Sequence, residues 1–451
     1  ATAAEVSRVL LAHLCRCTGW QPIVEAALNA LSPSPSGPGY APADAAPGSS
    51  GRPRSEVALG TSLDAHSDTA PGTSLRRPRD LQAAARRAAL EGGTPQQVGP
   101  DIVLGRAGFA DDTAPPDALV AVPDGRGGWA VGETLASARA AAAEVPGRRS
   151  GGSLVYPVSV PPGDWDLTLQ TTWVEPAYLE TDASWCRPGE APVSALANGG
   201  AFGGKVSSVA PAAAASLAAQ YGRPVRVLLS RPDTVRMGPK RPPIGAGLSS
   251  SGHGVVRVAC TPGVEQVVAS VAPDLRVELV EVVEPPTSLA LRGAAWAEAA
   301  ILLAALAARP AASPSGTSSS ATVRSPAGAL ATARVTVDEA GLPTHVAIRL
   351  HAGDPLDEVV LRSYATGAAH MALGWVCSEG ISVGADGIPD DLTIRSFGVL
   401  RARDTPPIAV SLEGDGEPVE GSGAVFAAIA AACWSAQGLP PRWPTRRGGF
   451  S

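Results

Sequence analysis

Three short stretches of this chain hold residue types that can do chemistry. Asn198-Gly199-Gly200-Ala201-Phe202-Gly203-Gly204-Lys205 is a glycine-rich loop that opens an alanine-rich helix. With Gly199, Gly204 and Lys205 it comes within one residue of G-x-x-x-x-G-K-[ST], in which backbone N–H groups cradle phosphate and the final hydroxyl reaches Mg²⁺. Val206 stands at the hydroxyl position, so a metal there lacks a ligand, and residues 191–196 make a poor buried strand. Nucleotide binding is therefore a minor reading. Cys15-Arg16-Cys17 places two thiols on one connection. Iron–sulfur clusters are held by four thiolates, and close spacing lets two of them face one cluster, although Cys-x-Cys alone is a weak signal. Asp415-Gly416-Glu417-Pro418 puts a carboxylate ahead of an apolar helix. Glu417 can take a proton as a general base, while the same four residues also have plain turn composition.

The elements that must position these groups emerge from composition and periodicity. At 451 residues the chain has room for roughly three domains and can bury substantial cores. A formal net charge of -6 with 17% charged residues and no long basic run offers no phosphate-neutralising surface, which argues against nucleic acid. The longest apolar helix candidate, 294–308, carries Glu298 and falls short of a membrane span. No secretory segment opens the chain, and with Ala1 rather than methionine first that carries little weight; a cytoplasmic location is the expectation. Six cysteines are too few for a disulfide scaffold at this length, and single ones default to small buried apolar residues.

Thr2 and Glu5 form a capping-box pattern for a helix over 2–13, and a second helix is expected near Pro22. Residues 32–80 turn to Ser, Pro, Gly and Ala and read as a flexible linker. A second such tract, 310–326, reads as a surface loop or a deleted region. Strands are expected at 119–122, at 167–173 with Leu167, Leu169, Thr171 and Trp173 alternating, and at 225–229, 275–283, 333–338 and 345–350. Helices are expected at 133–144, 293–308, 361–375 and 425–436. Strands and helices mix without a βαβ rhythm, so the fold class is α+β. The divisions are 1–31 for a small helical element, 32–80 for the linker, 81–145 for a small α/β domain and 146–451 for the main domain.

Several of these segments together resemble the molybdenum hydroxylases, the xanthine dehydrogenase and aldehyde oxidase family. Gly-Gly-Ala-Phe-Gly-Gly-Lys with Arg223-Pro224-Val225-Arg226-Val227 resembles the family's large subunit, where the loop approaches the metal's oxo ligand. The stretch from His13 to Ala26, which includes Cys15-Arg16-Cys17-Thr18-Gly19-Trp20, resembles the end of the family's helical [2Fe-2S] domain. Trp173-Val174-Glu175-Pro176-Ala177-Tyr178-Leu179-Glu180, Leu291-Arg292-Gly293 and the Gly-Glu-Pro at 416–418 follow the family's order. The resemblance spans most of 1–30 and 100–451. It implies that Gly199, Gly200, Ala201, Phe202, Gly203 and Gly204 approach a molybdenum–molybdopterin cofactor, with Phe202 lining the substrate pocket. Arg292 helps orient substrate, and Glu417 is the base that takes a proton from the attacking oxygen. Cys15 and Cys17 are then half of a [2Fe-2S] site.

The implied activity is oxidation of an aldehyde or aromatic N-heterocycle with water as the oxygen source. Electrons pass through the cluster to FAD on a partner subunit of a hetero-oligomer. Val206 replaces the glutamate of purine-oxidising members, and a hydrophobic residue cannot hydrogen-bond a purine. Residues 290–296 lack the copper-binding cysteine of the carbon monoxide dehydrogenases. The stretch between Glu180 and the glycine loop is compressed, and 310–326 replaces loops that grip the pterin in the family. A non-catalytic scaffold or electron-relay subunit is the alternative.

Overall fold

The computed structural model describes residues 2–10, 16, 20–31, 80–98, 100–142, 152–197, 199–283, 285–308 and 318–446. Its strands form three sheets, and a core of small apolar helices fills the space between two of them. The first sheet runs Trp129–Gly132, Leu119–Pro123, Val225–Leu228, Ala183–Cys186. Leu119–Pro123 pairs parallel with Val225–Leu228 and antiparallel with Trp129–Gly132. Helix Ala210–Tyr221 lies on this sheet through Ala210, Ala214, Leu217 and Ala218; the 3.6-residue period puts them on one stripe, and alanines let the helix lie close.

The second sheet orders Arg442–Trp443, Leu167–Thr171, Ile244–Leu248, Gly254–Ala259 and Leu275–Val280. The third orders Ile408–Glu413, Pro343–His351, Leu330–Val337 and Ser318–Arg324. Helices Trp296–Ala307, Glu358–Cys377 and Ser422–Ala436 share one continuous core with both sheets. Ser422–Ala436 is apolar on every side and buried almost throughout, as a central helix must be. Trp375 of the second helix stacks on Phe426 of the third at 5.2 Å and 11°. Trp443 meets Trp375 edge-on at 4.7 Å and Trp434 at 5.4 Å. A further helix, Leu81–Gly92, packs Ala84 and Ala88 against Val360.

The α+β mixture agrees with the sequence reading, and most expected elements form. The Thr2–Glu5 capping box closes helix Ala3–Val9. Residues 11–13 and 32–79, and hence most of the expected linker, lie outside the described residues. Trp296–Ala307 starts later than position 293 because Gly293 and Ala295 have φ of 64° and 69°, outside the helical range. In the 310–326 tract, residues 310–317 lie outside the described residues, and Ser318–Arg324 is an edge strand rather than a loop, with Ala321 and Val323 inward and Ser320, Thr322 and Arg324 outward. Its Ser-rich composition hid that period-2 pattern. The expected division at 145 falls between paired strands, since Leu119–Pro123 joins Val225–Leu228.

Trp443 is 1% exposed and touches two other tryptophans. Trp443→Ala should lower unfolding stability by roughly 3–5 kcal/mol in urea titration, and a loss under about 1 kcal/mol would contradict this packing.

Candidate functional site

A cavity of about 650 Å³ opens where the glycine loop, the 289–293 turn and the start of helix Ser422–Ala436 converge. Loop residues 199–203, Tyr178, Glu180, Arg292, Glu91 and Glu420 border it. The loop itself is a tight 3₁₀ turn, Ala201–Gly203. Ala201 and Phe202 have φ of 51° and 58°, a left-handed conformation that costs non-glycine residues energy and is found mostly where surroundings enforce it. Enforcement is visible. A Cβ on Gly203 would lie 1.7 Å from the Ala290 carbonyl oxygen, so the loop can press onto the 290–292 turn only with glycine there. The Arg292 amide then donates to the Phe202 carbonyl at 3.0 Å, and the Arg292 guanidinium lies 5.1 Å from the Phe202 ring centroid, within cation–π range.

Behind the turn, Arg241 is the organising group. Its Nε and Nη2 donate to Glu298 at 2.7 and 3.0 Å, and its Nη1 and Nη2 donate to the carbonyls of Arg292 at 2.7 Å and Gly293 at 3.2 Å. The guanidinium lies 4.1 Å from the Trp375 ring and 4.8 Å from Phe426. A planar fork is suited to this bidentate and stacked arrangement. Arg16 makes a second buried pair with Glu379 and donates to the carbonyls of Pro176 and Glu175 at 3.3 and 3.4 Å. Burial pushes the Glu379 carboxyl up and the Arg16 charge opposes it. Burial, then Arg16, lowers nearby His370 to about 4. Arg16, Phe202, Arg292 and Glu379 border one small void of about 30 Å³.

On the opposite side, Lys205 is buried with its Nζ 2.8 Å from Glu180 Oε2 and 5.6 Å from the Tyr178 ring. Burial raises Glu180, against the lowering by Lys205. At the start of helix Ser422–Ala436, Glu91 accepts from the amides of Gly421 and Ser422 at 3.0 and 2.9 Å. Burial, then the charge of Glu420, pushes Glu91 up to about 7, and those two amides pull the other way.

Residues 190–250 match the family description "Molybdopterin cofactor-binding domain". The match covers the glycine loop and helix Ala210–Tyr221. No curated protein matches. Among solved structures, quinoline 2-oxidoreductase from Pseudomonas putida 86 aligns at 10% identity and a TM-score of 0.49, over 70% of this chain and 83% of that one. Aldehyde oxidoreductase from Desulfovibrio gigas aligns at 12% identity and 0.47, over 70% and 67%.

Within the matched segment, Gly199, Gly200, Ala201, Phe202 and Gly203 border the cavity, and Arg292 faces it from the neighbouring turn. Gly204 backs onto Tyr178, whose ring a Cβ there would approach to 2.5 Å. Glu417 is not brought to the cavity. It is exposed on a turn made by Gly414 and Gly416, with φ of 110° and 92°, and its carbonyl packs against Gly353. Glu420, three residues on, borders the cavity instead and accepts from Ser422 Oγ and the Gly423 amide, both at 2.6 Å. Cys15, Cys17 and Asn198 lie outside the described residues. Cys186, Cys377 and Cys433 are buried as expected, while Cys260 is exposed.

The nucleotide-binding geometry is absent from the loop region: 191–196 forms no strand, and Lys205 is committed to Glu180. The glycine loop does not open helix Ala210–Tyr221 directly, because residues 204–209 intervene. Sequence reasoning missed Glu91, whose signal was an Arg-x-x-x-Glu pair, Arg87 and Glu91, within an alanine-rich stretch. The cavity volume falls in the range of cofactor sites. The glycines in its wall and the adjoining guanidinium fit a pterin-type group.

Removing Glu298 leaves Arg241 charged and without its carboxylate. Glu298→Ala should cost roughly 3–5 kcal/mol in urea unfolding, whereas Arg241→Met with Glu298→Met together should recover most of it. A double variant no more stable than Glu298→Ala would contradict this reading of the pair.

Proposed function

We propose that this chain is the cofactor-binding part of a molybdenum-dependent hydroxylase that oxidises an aldehyde or an aromatic N-heterocycle with water as the oxygen source. The supporting observation is the meeting of the glycine loop, Arg292 and Glu420 at one cavity, with the loop inside the matched segment. Residues 199–204 and Arg292 would hold the molybdopterin, which when bound supplies the two-electron redox chemistry. Electrons would leave through a [2Fe-2S] cluster that uses Cys15 and Cys17 to FAD on a partner subunit. Arg16, between those cysteines in sequence, is anchored on Glu379 and borders a small void with Phe202 and Arg292. Among the described residues, no helix is long and apolar enough to cross a membrane.

The chain's own groups divide the remaining work. The Phe202 ring gives a flat substrate a surface, and the Arg292 guanidinium is suited to a carbonyl or developing oxyanion. A carboxylate must take the proton released from the attacking oxygen. Resemblance assigns that task to Glu417, and cavity geometry favours Glu420; we adopt Glu420. Val206 at the rim offers a purine no hydrogen bond, which supports a substrate other than xanthine.

Protein purified with its partner should carry molybdenum near one atom per chain by elemental analysis. Glu420→Gln should cut turnover by about 10²–10⁴-fold and Glu417→Gln should leave it near that of the unaltered protein. The reverse pattern would return the role to Glu417. Iron without molybdenum would reject the enzymatic reading in favour of an electron-relay subunit.

A further inference from the structure

Two carboxylates meet at the start of helix Ser422–Ala436, and they reach it from distant parts of the chain. Glu91 comes from the last turn of helix Leu81–Gly92, a segment outside the resemblance to the molybdenum hydroxylases. It binds the amides of Gly421 and Ser422. Glu420 binds Ser422 Oγ and the Gly423 amide. Ser422 therefore donates to both acids, through its amide at 2.9 Å and its hydroxyl at 2.6 Å, and this confines the two carboxylates to the reach of one residue. Both border the 650 Å³ cavity.

Arg87 brings one positive charge against the two carboxylates. Its Nη1 is 3.3 Å from Glu91 Oε1, and the same guanidinium also donates to the carbonyls of Pro355, Val419, Ala352 and Asp354. It thereby clamps the two loops that frame the helix start. Nearby, Tyr364 on helix Glu358–Cys377 is turned to the Ala88 carbonyl at 3.4 Å, and Asp354 is exposed with its carboxylate on the Leu356 amide. The cations that border the same cavity, Lys205 and Arg292, lie against Glu180 and the Phe202 ring. Burial of the Glu91 side chain, then the Glu420 charge, disfavours the ionised form of Glu91.

We propose that Glu91 and Glu420 are a proton-sharing pair in the cavity wall, with Glu91 as the positioning residue that sets when Glu420 is free to accept a proton. The use of the pair in catalysis rests on the hydroxylase reading, but its titration does not. In turnover Glu420 takes the proton lost by the attacking oxygen, and the pair returns it to cavity water, so the carboxylates end unchanged. The shift of Glu91 to about 7 agrees with this arrangement. Because that value lies above the ordinary 4.5, the folded state binds the extra proton. The associated stability is fully present below the ordinary value and is lost as pH rises through about 7.

The test is an infrared pH titration of the full chain, following the carbonyl stretch of protonated carboxyl groups, with Glu91→Gln and Glu420→Gln alongside. The unaltered protein should show a band that disappears with a midpoint near 7. Glu91→Gln should abolish that neutral-range band, and Glu420→Gln should move its midpoint down because the neighbouring charge is gone. A band unmoved in both variants overturns the proposal. If Glu91→Gln does not fold, an unmoved midpoint in Glu420→Gln overturns it alone. In active enzyme, Glu91→Gln should shift the acid limb of the kcat/KM profile to lower pH. An infrared result as expected in protein without molybdenum would keep the pair and discard the hydroxylase reading.

Discussion

The site depends on one buried guanidinium. Arg241 is fixed between the Glu298 carboxylate and the rings of Trp375 and Phe426, and it donates to the carbonyls of Arg292 and Gly293. Those contacts tie strand, turn and helices into one unit. The turn they hold presents Arg292 to Phe202, and the same turn supplies the Ala290 carbonyl against which Gly203 must lie. Without the carboxylate, the charge would be stranded away from water. With it, the turn and the glycine loop share a single geometry.

This rigidity has a local cost that the surrounding contacts offset. Left-handed backbone at Ala201 and Phe202 is unfavourable for residues with a Cβ. The Arg292 amide to Phe202 carbonyl bond and the glycine contacts on either side keep it in place. The walls are equally constrained. Lys205 is held by Glu180, Arg16 by Glu379, and the helix start by Glu91 and Glu420. A preorganised wall of this kind needs little rearrangement when charge develops on a substrate.

Much of this was legible in the sequence, for identifiable reasons. The glycine loop and Arg292 stand in short contiguous segments whose residue types carry meaning alone. Long apolar helices and alternating strands declare themselves by period. What stayed hidden depended on tertiary contact. Ser318–Arg324 has small polar residues on its outer face, so its inward Ala321 and Val323 gave too faint an alternation. Glu91 lies 329 positions from Glu420, so no local pattern could join them. Glu417 sits on the exposed turn beside Gly414 and Gly416, and the next acid, Glu420, borders the cavity.

The central claim is that a molybdenum cofactor occupies the cavity bounded by Phe202, Arg292 and Glu420. Anomalous X-ray scattering at the molybdenum edge, from crystals of the protein as purified, tests it most directly. The account predicts one molybdenum peak inside that cavity, against the 199–203 loop. A peak elsewhere in the molecule, or none in crystals that show an iron signal, would contradict it.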